Sequence, residues 1–411
     1  MSADGLISVA EALARVLASA PEPLGAEIVA IEAALGRTLA SDLHALRTQP
    51  PFANSAMDGY ALRAADTAPA PARLRVVGQS AAGRAFAGAL GEGQALRIFT
   101  GAPVPEGADA VLVQENATRE GDFLVMKASQ AVGRNVREAG IDFVERELLL
   151  PAGRRLSSRD LALAAAANHP ALSVRRRPRV AVLATGDELV RPGGAIGPAQ
   201  IVASNNYAIA GIVTACGGDP IDLGIAADEM DALARSFRRA REIEADVLVT
   251  LGGASVGDYD LVQKALVDAG LKLGFWRIAM RPGKPLMQGR LGAMRVLGLP
   301  GNPVSAIVCA ILFLAPLLRA LAGDPTAGED VSEPAVLGAD VGANDPRQDY
   351  LRAKLTRGPG GALIAEPVAS QDSSLVKFLA QAQCLVIRAP HAPAAKRGEA
   401  CHIIRFGASG F

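Results

Sequence analysis

Residues 247–262 read VLVTLGGASVGDYDLV, residues 276–286 read WRIAMRPGKPL and residues 296–306 read VLGLPGNPVSA. Three short apolar runs, Val247–Leu251, Phe275–Met280 and Arg295–Leu299, each give way to glycine, proline and polar residues. That is the pattern of buried parallel strands opening into loops at their carboxyl ends. In open α/β sheets, ligands bind in the crevice outside those ends. The first loop offers Gly252, Gly253, Ser255, Gly257, Asp258 and Asp260, the second Arg281 and Lys284, and the third Gly301, Asn302 and Ser305. Glycines let backbone N–H groups approach an anion, cations attract it, and carboxylates can hold a metal. Together they predict an enzyme acting on a phosphate-bearing substrate.

Working outward, the same alternation of strand and helix runs from residue 178 to about 323. Val180–Leu183 opens into Ala184-Thr185-Gly186-Asp187-Glu188, Asn205–Ala215 reads as a helix, Pro220–Ile225 as a strand ending near Asp228, and Asp231–Glu242 as a helix. The expected fold is multidomain, mixing α+β and α/β, around a central three-layer, mostly parallel sheet. Beyond a linker at 323–333, five short strands (AVLGADV, DYLRAKL, ALIAEPV, QCLVIRA, CHIIRFG) predict a small C-terminal β-barrel. Upstream, alternating runs between Leu74 and Val144 predict a β-rich inserted domain. The expected boundaries are 1–50 plus 141–177 for a helical linking domain, 51–140 for the insert, 178–325 for the α/β domain and 332–411 for the barrel.

Near the N-terminus an amphipathic helix capped at Ser8 is expected, then a second helix around Ile28–Leu39. Pro50-Pro51 and Asn54-Ser55-Ala56-Met57-Asp58-Gly59 form an ordered turn, which Met57 and Tyr60 would anchor. On their own residues, Asp58 reads first as a turn cap and Thr100 as a partner of the local backbone. Ser157 to Asp160 is an N-cap signature, and Arg175-Arg176-Arg177 reads as a solvated strand edge.

The 411 residues carry 42 basic and 42 acidic side chains, so no charge bias points to nucleic acid or to a membrane surface. The longest apolar run, Ala306–Leu317, is short for a bilayer and contains Pro316. The N-terminal run MSADGLISVAEALARVLA lacks the basic segment of a leader, so a cytoplasmic location is expected. The four cysteines lack metal-type spacing, and three of them are expected in the core. GxSxG, Walker A and HExxH patterns are missing, which argues against a serine hydrolase, a P-loop enzyme and a zincin. The carboxylates Asp187, Glu188, Asp228, Asp258 and Asp260 recur at successive strand ends, where two or three of them plus phosphate oxygens could hold Mg2+.

In order along the chain, PFANSAMDGYA, IFTGAPVPEGADAVLVQE, NVREAGID, ATGDEL, LGGASVGDYD, RPGKPL and GLPGNPVSA resemble the molybdopterin molybdenumtransferases: the bacterial MoeA proteins and the E domains of gephyrin and its plant counterpart. The resemblance runs from about residue 6 to 405. It implies a four-domain subunit with a MogA-like α/β domain, assembled as a homodimer. The implied reaction inserts molybdate into the dithiolene of adenylated molybdopterin, cleaving its pyrophosphate to release AMP, with a divalent cation such as Mg2+. Other proteins of cofactor biosynthesis would be partners. Positions matching family site residues are Asp58, Thr100, Asp142, Glu188, Asp228, Asp260, Arg281, Lys284, Arg352 and Ser373. By that resemblance Asp228 and Asp260 hold the metal, and Lys284, Arg352 and Ser373 bind molybdate. Gly252, Gly253 and Ser255, with Pro300, Gly301 and Asn302, line the phosphate. Many members carry lysine where this chain has Arg277 and Arg281, and the two cations are not interchangeable. Rival readings are a molybdopterin adenylyltransferase or related nucleotide pyrophosphatase, and a non-catalytic scaffold of the same architecture.

Overall fold

The computed structural model describes residues 6–253 and 261–407. Ser255, Gly257, Asp258 and Asp260 therefore lie outside the described residues. The backbone separates into two compact units: residues up to 27 with 36–40 and 173–411, and residues 28–35 with 41–172.

The first unit opens with α1 (Val9–Ala18), capped by the Ser8 hydroxyl, which accepts the Glu11 amide at 3.1 Å. Its sheet is built from β1 (Arg179–Thr185), β2 (Asp219–Ala226), β3 (Val247–Leu251), β4 (Lys272–Trp276), β5 (Met287–Leu291) and β6 (Met294–Leu299). The spatial order is β2-β1-β3-β6-β5-β4. β2, β1, β3 and β6 run parallel, while β5 and β4 are antiparallel additions at one edge. Helices α2 (Asn205–Ala215), α3 (Met230–Glu242), α4 (Leu261–Asp268) and α5 (Pro303–Leu321) complete the α/β layers. Two clusters form the core: Val182, Val249 and Leu297 belong to the one shared with α5, Leu183, Leu248 and Val296 to the one shared with α3 and α4. Each such side chain contributes about 1.5–3 kcal/mol by leaving water.

The run Phe275–Met280 is not a third parallel strand. β4 ends at Trp276 because Arg277 takes φ +87°, outside the extended region. The chain then re-forms as the two-residue strand Met280–Arg281. The β5–β6 hairpin was not anticipated, since QGR in its first strand gave no apolar period.

α5 is long and apolar enough to cross a membrane, with a mean hydropathy of 2.3, yet 67% of it is buried inside the protein. Its segment Ala310–Leu314 is wound as π-helix, just ahead of Pro316. A proline lacks the amide of the helical ladder and crowds the carbonyl four residues back, and the wider turn accommodates both.

The barrel comprises β7 (Glu333–Leu337), β8 (Gln348–Arg357), β9 (Leu363–Pro367), β10 (Cys384–Arg388) and β11 (Ala400–Arg405). Its order is β8-β9-β7-β11-β10, and β8 pairs with β10 to close the circle. No edge among these five strands is left open.

The second unit is a six-stranded sheet ordered Ala110–Val113, Gly59–Leu62, Gln94–Ile98, Ala72–Ser80, Phe123–Met126 and Ala117–Glu120. The helix Ser158–Ala166 begins at a capping box between Ser157 and Asp160. Ile28–Leu39 is not a helix. Ala26–Ala30 is a strand paired with Ala171–Arg175, followed by a single 3-10 turn. The β-branched pair Ile28-Val29 favours extension, and Ile28 is 72% exposed, so its apolar period marks no buried face. Tyr60 anchors its turn, whereas Met57 is exposed. Of the basic triplet only Arg177 is exposed: Arg176 grips buried Asp246 with two 2.7 Å hydrogen bonds, and Arg175 donates to the Leu24 carbonyl.

Candidate functional site

Strand order reverses between β1 and β3, because the chain leaves β1 for β2 on one side and returns to β3 on the other. A crevice must open at the carboxyl ends there. A cavity of about 690 Å³ occupies it, lined by Thr185, Gly186 and Glu188 after β1, Asp228 after β2, Gly252 and Gly253 after β3, and Pro300, Gly301 and Asn302 after β6. The start of α2 adds Ser204, Asn205 and Asn206, and Pro285 and Ser374 complete the rim.

The glycines are there for contact. Gly252 and Gly253 take φ +99° and +61°; a Cβ on Gly253 would lie 2.1 Å from Val262 Cγ2, and one on Gly252 2.8 Å from the Thr185 carbonyl. The Gly252 and Gly301 loops touch, and Asn205 Nδ2 donates to the Gly301 carbonyl at 2.7 Å. Asn302 caps α5 by backbone and directs its amide instead to Ser373 Oγ at 3.0 Å. The positive end of α5 thus faces the cavity, an arrangement suited to phosphate.

Carboxylates gather across from it. The Asp228 amide donates to Asp187 Oδ1 at 3.1 Å. Burial, reinforced by the charges of Asp187 and Glu188, raises the Asp228 pKa above the ordinary carboxylate value. These hard oxygens fit one wall of a divalent-cation site, and a cation there would relieve the repulsion. Among the described residues, no three His, Cys, Asp or Glu side chains form a closed metal cage. The expected second ligand, Asp260, lies outside the described residues.

The expected cations behave differently from one another. Lys284 is exposed, beside the cavity-lining Pro285. Arg281 is engaged by Asp349 and, at 3.4 Å, by Asp345. Arg352 is fully buried, and its guanidinium donates at 3.2 Å to the carbonyls of Ser370 and Asp372, bracing the turn that carries both serines. Burial lowers the Arg352 pKa. Ser373 is bound to the first turn of α5, its carbonyl accepting the Val304 amide at 3.0 Å, while its neighbour Ser374 lines the cavity.

In the second unit, Asp58 Oδ1 accepts both the amide and the hydroxyl of Thr100, each at 2.7 Å. Those two bonds, with the charge of Arg97 behind them, lower the Asp58 pKa. Asp142 is exposed, its amide held by the Gln49 carbonyl at 3.1 Å.

Sequence reasoning missed Asn205, Asn206 and Asp349. The first two read as helix-starting polar residues, and Asp349 as the first residue of a barrel strand.

Residues 7–168 match the family profile described as MoeA N-terminal region (domain I and II), 181–320 a probable molybdopterin binding domain, and 334–406 the MoeA C-terminal region (domain IV). A molybdopterin molybdenumtransferase of Nostoc sp. is 37% identical over 88% of this chain and 84% of its own length. The molybdopterin molybdenumtransferase of Haemophilus influenzae is 31% identical over 93% and 94%. The solved molybdopterin biosynthesis MoeA protein of Pyrococcus horikoshii superposes with a TM-score of 0.83 at 32% identity, covering 98% of this chain and 100% of that one.

Proposed function

The chain belongs to the MoeA family of molybdopterin molybdenumtransferases, and from that premise we propose that it inserts molybdate into the dithiolene of adenylated molybdopterin, with release of AMP and molybdenum cofactor. It is an enzyme of molybdenum cofactor biosynthesis. The observation that carries the chemistry is the switch-point cavity, where two glycine loops and the start of α5 face a cluster of carboxylates.

The roles follow from charge and reach. Gly253 and Gly301, ahead of the positive end of α5, receive the pyrophosphate through backbone N–H groups, and Gly252, whose amide is held by the Leu299 carbonyl, admits it closely for want of a Cβ. Lys284 supplies a mobile positive charge for molybdate, a tetrahedral dianion. Ser373 adds a hydroxyl donor, its oxygen accepting the Asn302 amide, whereas the Ser374 hydroxyl donates to Asp372, and Arg352 holds their turn in place. Asp228 with Asp260, assisted by Glu188, would hold Mg2+, which when bound polarises the phosphoryl oxygens. Asp58, kept ionised by Thr100, and exposed Asp142 are acceptors for a proton or for substrate hydroxyls. We place the enzyme in the cytoplasm as a homodimer, working alongside the proteins that supply adenylated molybdopterin.

The test is to incubate the protein with molybdopterin adenylate and Mg2+, with and without molybdate, and to quantify AMP and active cofactor. Molybdate-dependent release of both, lost in Asp228→Ala and Asp260→Ala, is the expected result. AMP release indifferent to molybdate would replace the proposal with a plain pyrophosphatase, and a requirement for ATP would replace it with an adenylyltransferase.

A further inference from the structure

Two of the loops beside the cavity hang from one barrel strand. Arg352 of β8 braces the serine turn. Four residues before Arg352, at the start of β8, lies Gln348, and there β8 pairs in parallel with Met280–Arg281, setting Met280 beside Gln348 and Arg281 beside Asp349. Over that pairing the Arg281 guanidinium forks onto the Asp349 carboxylate, Nε to Oδ1 at 2.8 Å and Nη2 to Oδ2. Asp349 is only 3% exposed, so this fork replaces the water it has lost. Nη1 reaches Asp345 Oδ2 at 3.4 Å and Nη2 reaches Asn344 Oδ1 at 3.5 Å. All three guanidinium nitrogens of Arg281 face acceptors.

The rest of the loop is equally fixed. The Lys284 carbonyl accepts the amides of Ile278 at 3.0 Å and Leu286 at 3.2 Å. Gly283 lies against α5 so closely that a Cβ would sit 2.5 Å from Cys309 Sγ. The Lys284 side chain, by contrast, is exposed and has no ion pair or hydrogen bond among the described residues. Drawing Arg281 onto a dianion would strand a buried carboxylate, which is costlier than one arginine–oxyanion contact returns.

We propose that Arg281 is a positioning residue and not an anion ligand: its fork on Asp349 fastens the 281–285 loop to β8 and leaves Lys284 as the anion-binding cation of that loop. The identity of the anion rests on the molybdenum-insertion reading; the latch does not.

The experiment measures the thermal midpoint and the molybdate KM for AMP release in Arg281→Asp, Asp349→Arg, the double swap, Arg281→Lys and Lys284→Ala. Each single charge reversal is expected to lower the midpoint and raise the KM about tenfold or more. The double swap is expected to regain the midpoint and bring the KM within about threefold of the parent. Lys284→Ala is expected to raise the KM with the midpoint unmoved. A swap that regains the midpoint but keeps the raised KM would make Arg281 an anion ligand and overturn the proposal. A swap no more stable than the worse single reversal would deny the latch. Should the reversals fail to fold, Arg281→Lys decides: it keeps the charge and loses the fork. A lowered midpoint with a raised KM supports the latch, and parental values of both overturn it. If the parent protein releases no AMP with molybdate, the insertion reading has failed, and the midpoints alone still decide the latch.

Discussion

Thr100 directs two donors, its amide and its hydroxyl, at a single oxygen of Asp58, leaving Oδ2 for other partners. A carboxylate bound in this way stays ionised and stays aimed. Replacing Thr100 with valine preserves the shape and the amide but removes the hydroxyl donor. The expected result is a fall in kcat/KM of about tenfold, the scale of one lost hydrogen bond to a charged group, with Thr100→Ser close to the parent. The pH profile gives the sign. Asp58 has a lowered pKa in the parent, so activity that needs its ionised form persists as pH drops below the ordinary carboxylate value of 3.8. In Thr100→Val that acidic limb should move to higher pH. A profile that does not move would mean Asp58 takes no part in the rate-determining chemistry. At this scale the sequence was only partly legible: the turn around Asp58 could be read from its prolines and glycine, but no local pattern announces a partner 42 residues away.

Elements with a strong local signature were the readable ones. The helix Ser158–Ala166 announces itself because Ser157 and Asp160 are placed for a reciprocal cap, and the structure makes it: Asp160 Oδ2 accepts the Ser157 amide at 2.8 Å and its hydroxyl at 2.7 Å. Arg154 Nε adds a third bond at 2.9 Å to Oδ1. Burial alone would raise the Asp160 pKa, but the Ser157 donors and Arg154 outweigh it and leave the pKa lowered. A carboxylate with a depressed folded-state pKa stabilises the protein above its ordinary 3.8, and that contribution fades as pH falls through the folded value. Asp160→Asn should therefore cost about 1–3 kcal/mol near neutral pH, with the gap to the parent closing below pH ~4 in urea unfolding curves. A gap independent of pH would assign the loss to packing. By the same logic the parallel strands β1, β3 and β6 were legible, each being a continuous apolar run ending in a turn. Ile28–Leu39 was not, because five residues captured by a partner strand override a helical period. Arg277 broke the reading of Phe275–Met280 through a single backbone angle that residue type does not forecast.

For the whole molecule, the proposed homodimer needs a face, and the second unit presents one. Leu46, Ile141, Val144 and Leu148 are 54%, 65%, 50% and 51% exposed. They come from two segments tied together, His44 pairing with Leu148, the Ala45 amide bound to the Glu147 carbonyl and Gln49 bridged to Phe143. Large apolar side chains clustered on a surface signal association more than solvent contact. A stable interface hides about 1,200–2,000 Å² in total, more than these four residues supply, so they would form the apolar centre of a wider contact. Sequence could not reveal this face, since exposed and core leucines look alike until the fold sorts them. Ile141→Glu places a charge at the centre, where desolvating it is opposed by several kcal/mol. The expected outcome is a dimer in the parent and a monomer of unchanged circular dichroism in Ile141→Glu, read by light scattering across a concentration series. A parent that is monomeric throughout would remove the homodimer, and an undisturbed dimer in Ile141→Glu would move its interface to another face.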